Sequence, residues 1–255
     1  MRTIAVFNQK GGAGKTTASV NLAAALAEKG KKVLLVDLDT QASASSSLGI
    51  RDAEDRGLSE VFIEEGSLSS CIRETDFSGL EIVPSSPWLA RVEPALAGEI
   101  GAQVILQKAL RKLPERWDFV ILDCPPSLGL LSINALAAAR EVLVPIVPHF
   151  SNMEGLAALL RTVEKVAEGV KGANPEVAGI LLSQVDRRSL HVQAVEEELR
   201  GKFKEKVFRT VIRSNIRLPE AWAFGKPVIE YDTQSHGAED YRALAAEVIK
   251  RERRS

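Results

Sequence analysis

The chain has 255 residues, of which 45% are hydrophobic and 26% charged, with a formal net charge of −1. That length suits one large domain, expected here over residues 1–255, and the apolar content can build a sizeable core. A net charge this close to zero excludes a whole-protein pull toward nucleic acid or membrane, so such binding has to come from a local patch.

The predicted elements alternate strand and helix. Residues 3–7 are a short apolar run with β-branched members, read as a buried strand. The glycine-rich segment 8–17 follows. Residues 16–29 are rich in Ala and Leu at helical spacing and end at Gly30, a helix C-cap residue. Further apolar runs predict strands at 32–39, 80–83, 119–122, 142–147 and 177–182. Helical spacing predicts helices at 132–140, 154–167 and 192–203. Continuous apolar strands separated by helices imply an α/β fold: a mostly parallel, twisted sheet covered by helices on both faces. The serine-rich stretch 43–47 follows a strand end and is read as a ligand loop. Cys71 and Cys124 have no metal spacing and make no disulfide framework, which points to a reducing compartment. No apolar run approaches the ~20 residues of a membrane span. A strand begins almost at the first residue, so no signal peptide is expected.

The segment Asn8-Gln9-Lys10-Gly11-Gly12-Ala13-Gly14-Lys15-Thr16-Thr17 carries the chemistry. A strand, a glycine loop and a helix N-terminus make an anion site, because loop N–H groups and the helix dipole converge on phosphate oxygens. Gly11, Gly12, Ala13, Gly14, Lys15, Thr16 and Thr17 are the expected nucleotide-binding residues. Lys15 is expected to reach the β- and γ-phosphates and the Thr16 hydroxyl to bind Mg²⁺. One position departs from the ordinary P-loop pattern. Gln9 stands where that pattern has glycine, and a second lysine, Lys10, opens the loop.

Ligands of open α/β sheets sit beyond the carboxyl ends of the strands. Asp37 and Asp39 end one predicted strand and Asp123 another. An apolar strand delivering Asp123 toward Mg²⁺ is a Walker B arrangement; otherwise Asp123 is a helix cap or turn residue. Asp39 is expected to position or deprotonate the attacking water and, with Thr16 and Asp123, to be a metal-site residue; otherwise it is a turn former. Asp37 either takes part directly or orders the loop.

The runs Lys10 to Thr17, Asp37-Leu38-Asp39-Thr40-Gln41 and Ile121-Leu122-Asp123-Cys124-Pro125-Pro126 resemble the deviant Walker A ATPases, and more closely the ParA/Soj partitioning proteins. The likeness extends over nearly the whole chain, through Ile82-Val83-Pro84-Ser85-Ser86, Met153-Glu154-Gly155-Leu156 and Asn215-Ile216-Arg217-Leu218-Pro219-Glu220-Ala221. The resemblance implies ATP and Mg²⁺ as cofactors and weak, partner-stimulated hydrolysis. It implies that Lys10 crosses to the partner subunit's ATP, so that ATP drives homodimerisation. Asn215 is implied on the adenine side. Arg188 and Arg217 are implied as nonspecific DNA contacts, with a ParB-like protein stimulating hydrolysis and a cytoplasmic, nucleoid-associated location.

The charge pattern agrees with a DNA footprint. Between Arg187 and Arg217 stand nine Lys or Arg and four Glu, a local +5, which leaves about −6 for the rest of the −1 chain. The chain departs from the family pattern at Thr40, where proline is usual, and at Arg213-Ser214-Asn215, where Pro-Arg-Asn is usual. Val147-Pro148-His149-Phe150-Ser151-Asn152 replaces Gln-x-Glu-Tyr-Tyr-Ala, and Trp222 and Phe224 are bulkier than usual. Three other classes fit less well. A MinD-like membrane-positioning ATPase needs a terminal amphipathic helix with bulky apolar residues. Here Tyr241, Leu244, Ala245 and Val248 make one modest face, expected to dock on the core, and the end Lys250-Arg251-Glu252-Arg253-Arg254 has nothing to insert. A nitrogenase-reductase-type iron–sulfur ATPase needs paired bridging cysteines. A dethiobiotin-synthetase-like ligase does not account for the basic cluster.

Overall fold

A computed structural model describes residues 1–51 and 56–252. Arg253 and Arg254 of the basic terminus lie outside the described residues. The strands are β1 (Arg2–Val6), β2 (Val33–Asp37), β3 (Arg73–Glu74), β4 (Leu80–Val83), β5 (Phe119–Asp123), β6 (Glu141–Ile146), β7 (Glu176–Val185) and β8 (Val207–Arg213). The helices are α1 (Lys15–Glu28), α2 (Ser43–Ser46), α3 (Leu58–Ile63), α4 (Val92–Ala95), α5 (Ile105–Arg111) and α6 (Leu130–Ala138). They continue as α7 (Phe150–Gly169), α8 (Leu190–Phe203), α9 (Arg217–Ala223), α10 (Val228–Tyr231) and α11 (His236–Glu252).

One eight-stranded sheet has the order β3-β4-β2-β5-β1-β6-β7-β8. All neighbours are parallel except the β3–β4 pair at one edge. Side chains alternate between faces, so each central strand feeds two cores. Ala5, Leu34, Val36, Val120 and Leu122 join the core under α5, α6 and α7. Ile4, Val33, Leu35, Phe119 and Ile121 join the core under α1 and α11. This is the fold expected from the apolar runs.

Two strands were not legible in the sequence. The strand β3 is only two residues long. In β8 the exposed Arg209 and half-buried Thr210 interrupt the apolar pattern, because β8 closes the sheet edge. The register places three loops side by side. Val6 pairs with Asp123 across β1 and β5, and Asp37 pairs with Asp123 across β2 and β5. The P-loop after β1 and both acidic strand ends therefore share one edge of the sheet.

Candidate nucleotide site

Gly12 and Gly14 have φ of 72° and 85°, in the left-handed region where a side chain adds strain. Gly14 is also the N-cap of α1. The chain thus passes from strand to helix through glycine, and the unpaired N–H groups of the helix start lie at the loop. Two residues at the end of β7 brace this loop. Ser183 Oγ donates to the Ala13 carbonyl at 2.9 Å, and Gln184 Nε2 donates to the Gly12 carbonyl at 3.0 Å. Gln184 itself has φ of 56°, an unusual backbone for a residue with a side chain. No motif marks Ser183 or Gln184; their only signal is their place at a strand end.

Lys15 is 7% exposed. Its Nζ donates to the Lys10 carbonyl at 3.3 Å. Burial pushes the Lys15 pKa down, and the nearby Asp123 and Asp39 charges oppose that shift. Thr16 Oγ1 donates to Asp123 Oδ2 at 2.8 Å, and Ser19 Oγ donates to Asp123 Oδ1 at 2.7 Å. Asp123 is fully buried. Its pKa is pushed up to about 7 by that burial and by the neighbouring Asp37 charge, against the two hydroxyl donors. A buried carboxylate beside a threonine hydroxyl offers hard oxygen donors that fit Mg²⁺. The described residues contain no cluster of three or more His, Cys, Asp or Glu able to hold a metal.

Asp37 orders its loop. It is fully buried and accepts from Ser45 N at 2.8 Å, Ser45 Oγ at 2.7 Å and Asp39 N at 3.1 Å. Burial raises its pKa to about 6 despite these bonds. Asp39 is half-buried, and its Oδ1 accepts from Gln41 N at 3.0 Å. It shares no hydrogen bond with Thr16 or Asp123, although its charge acts on both Lys15 and Asp123. The stretch 43–47 is not a loop. It is largely the one-turn helix α2, and its central Ser45 is a buried anchor that also accepts from Ser85 N at 3.0 Å. Only Ser43 and Ser47 reach a small cavity of about 170 Å³ beside Thr16 and Thr17.

Asn215 comes to the same place. It lines a cavity of about 560 Å³ together with Gly14, Thr17, Ser183, Ile212 and Trp222. Its Oδ1 accepts from Arg217 N at 2.8 Å, which fixes the amide at the start of α9.

Lys10 behaves differently from Lys15. It is exposed, its N–H donates to Asn8 Oδ1 at 2.9 Å, and its Nζ donates to Asn152 Oδ1 at the start of α7. Lys15 is buried within the loop, and Lys10 lies exposed at its entrance.

The basic residues do not form a free patch throughout. Arg188 is paired with Asp186 at 3.2 Å, and Arg217 with Glu220 at 2.7 Å and Asp232 at 3.2 Å. Arg213 is held by Asp240 at 2.7 Å and Glu239 at 2.9 Å. Arg200, Lys204, Arg209, Lys250 and Arg251 line a cavity of about 530 Å³ near Val207, at the start of β8, with Glu205 and Glu247, and there too Arg200 pairs with Glu196 at 2.8 Å and Arg251 with Glu247 at 3.0 Å.

The family model described as "AAA domain" matches residues 1–177. The chain is 46% identical to the chromosome-partitioning ATPase Soj of Thermus thermophilus, over 98% of this chain and 96% of that protein. It is 43% identical to the sporulation initiation inhibitor protein Soj of Bacillus subtilis, over 97% of this chain and 98% of that one. The solved structure of cobyrinic acid a,c-diamide synthase from Mycobacterium smegmatis, with bound ATP analogue and magnesium, matches with a TM-score of 0.86. It is 32% identical, covering 99% of this chain and 96% of that one. This chain belongs to the ParA/Soj family of chromosome-partitioning ATPases.

Proposed function

We propose that residues 1–255 form one ATPase unit that works as an ATP-gated dimer and moves or positions cargo along DNA. The observation that carries this reading is the divergence of the two lysines. Lys15 is buried inside its own loop, whereas Lys10 is exposed with its ammonium on Asn152 at the start of α7. In this reading Gly11 to Thr17 bind the phosphates of ATP, and Asn215 lies on the base side. Thr16 and Asp123 hold Mg²⁺, which neutralises charge on the phosphates. Asp39, close enough to act on the Lys15 and Asp123 charges, orients water for slow hydrolysis. Lys10 supplies positive charge to the partner's nucleotide, a contact that exists only in the dimer. Arg188 and Arg217 then meet DNA phosphates without reading sequence. A ParB-like protein accelerates hydrolysis and so releases the nucleoid-associated dimer.

A membrane-positioning role is not favoured. Tyr241, Leu244, Ala245 and Val248 of α11 are all buried against the core, and no helix among the described residues is long and apolar enough to cross a membrane. Sedimentation velocity with a non-hydrolysable ATP analogue and Mg²⁺ tests the main reading. Wild type is expected to shift from monomer to dimer, and Lys10→Ala to stay monomeric. A Lys10→Ala protein that dimerises as wild type does removes the cross-subunit role.

A further inference from the structure

Lys10 has a resting place on its own subunit. Asn152 Nδ2 donates to the Val147 carbonyl at 2.7 Å, which turns Oδ1 toward the Lys10 ammonium. On the other side, Asn8 Nδ2 donates to the Pro145 carbonyl at 2.7 Å while its Oδ1 fixes the Lys10 backbone at 2.9 Å. Two pinned amides therefore hold Lys10, Asn8 at its backbone N–H and Asn152 at its ammonium. The parked lysine is a wall of two adjoining cavities, of about 300 Å³ and about 270 Å³, and Asn152 lines both as well. No acid among the described residues pairs with Lys10, so Asn152 is its side-chain partner.

We propose that Asn152 is a positioning residue that latches Lys10 in the monomer and sets the threshold for ATP-dependent dimerisation. The inference rests on the reading that Lys10 serves the partner's nucleotide. A lysine that must leave one acceptor to reach another shifts the equilibrium by the difference between the two contacts. The monomer keeps the amide contact, the dimer exchanges it for phosphate oxygens, and the amide competes. Removing the amide favours the dimer. Replacing it with a carboxylate strengthens the latch, because a charge-assisted bond holds an ammonium more firmly than a neutral one.

The experiment measures the protein concentration at half-dimerisation with a non-hydrolysable ATP analogue and Mg²⁺. Wild type, Asn152→Ala, Asn152→Ser, Asn152→Asp and Lys10→Ala are compared by sedimentation velocity. The alanine and serine variants are expected to dimerise at about threefold lower concentration, and the aspartate variant at about threefold higher, as suits an exposed contact. Lys10→Ala is expected to stay monomeric, alone and combined with Asn152→Ala. Because Asn152 lines a cavity together with Gly11, Gly12 and Ala13, binding of a fluorescent ATP analogue to the monomer is measured for every variant; Asn152→Ala and Asn152→Ser, which add no charge, are expected to bind it as wild type does, and dimerisation is compared at equal nucleotide occupancy. Asn152→Ser keeps a polar residue in the first turn of α7 and guards against a folding defect in the alanine protein. If Lys10→Ala is monomeric while the three Asn152 variants match wild type, the latch is overturned and the cross-subunit role stands. If Lys10→Ala dimerises normally, both fall.

Discussion

Lys15 and Asp123 show how burial turns common residues into a site. A lysine at 7% exposure and an aspartate at zero are each costly alone. Placed near each other under a glycine loop they partly compensate, and the Thr16 and Ser19 hydroxyls at 2.8 Å and 2.7 Å complete the aspartate's shell. Burial and the Asp37 charge still push the Asp123 carboxyl up, and a divalent cation bound beside it would favour the charged form. Asp123→Asn keeps the shape and removes the charge. Hydrolysis with Mg²⁺ is expected to fall by about a hundredfold or more, because the hard anionic ligand is gone. The same variant without metal is expected to unfold at a temperature no lower than wild type, since a costly buried charge has been removed. Phosphate-release kinetics and thermal melts, each with and without Mg²⁺, check the pair. A variant that is both inactive and destabilised would show Asp123 to be a structural acid.

Elements rather than single residues decide whether the edges of the sheet hold. Glu247 on α11 clamps β8 by accepting from Arg209 N and Thr210 N at 2.9 Å and from Thr210 Oγ1 at 2.8 Å. Arg251 also pairs with it at 3.0 Å. Burial opposes its charge, but these donors outweigh burial and hold the carboxyl below the usual glutamate range. A depressed acid contributes stability that is present above its unfolded pKa and is lost as pH falls through the folded value. Glu247→Gln is therefore expected to cost about 1–3 kcal/mol near neutral pH. Denaturant unfolding should show the gap to wild type closing as pH drops below the ordinary glutamate range. The turn after α9 has a different constraint. Gly225 has φ of 67°, and a Cβ there would lie 2.9 Å from the Gly49 Cα. Backbone meets backbone, so Gly225→Ala is expected to cost roughly 1–3 kcal/mol, readable in the same unfolding experiment. The central strands were legible because apolar side chains on both faces leave an unbroken run. Asp37, Asp39 and Asp123 were legible as candidate site residues because polar residues stand out at the ends of such runs. What stayed hidden depends on distant partners. Ser183 and Gln184 brace the P-loop from some 170 positions away, β8 is a strand only because β7 lies beside it, and Ser45 became an anchor because Asp37 is buried beneath it.

At the scale of the whole molecule, a nearly neutral chain concentrates positive charge on the β7–β8 side and then ties some of it down with acids. A DNA phosphate approaching Arg188 has to compete with Asp186, whose carboxyl the Arg188 side chain, helped by its backbone N–H, holds below the usual range. On the proposed reading each such arginine would bind phosphate more weakly than an unpaired cation, and a single subunit is expected to have low affinity. In the proposed dimer two subunits would present the patch twice and their phosphate interactions would multiply in the binding constant, so DNA binding is expected to follow dimerisation. This makes two substitutions at one exposed pair act with opposite signs. Arg188→Ala, combined with Arg217→Ala, is expected to weaken DNA binding by the ATP-bound dimer. The logarithmic salt slope should fall by about 0.9 for each phosphate that the variant no longer neutralises. Asp186→Asn frees Arg188 and is expected to tighten binding by about two- to fivefold, the scale of an exposed ion pair. Fluorescence anisotropy on a random-sequence duplex, titrated over a salt series with a non-hydrolysable ATP analogue, reads both. A protein in which neither substitution changes affinity or slope does not use Arg188 for DNA, and the cations Lys204 and Arg209 near the start of β8, with Lys250 of α11, would then be the place to look.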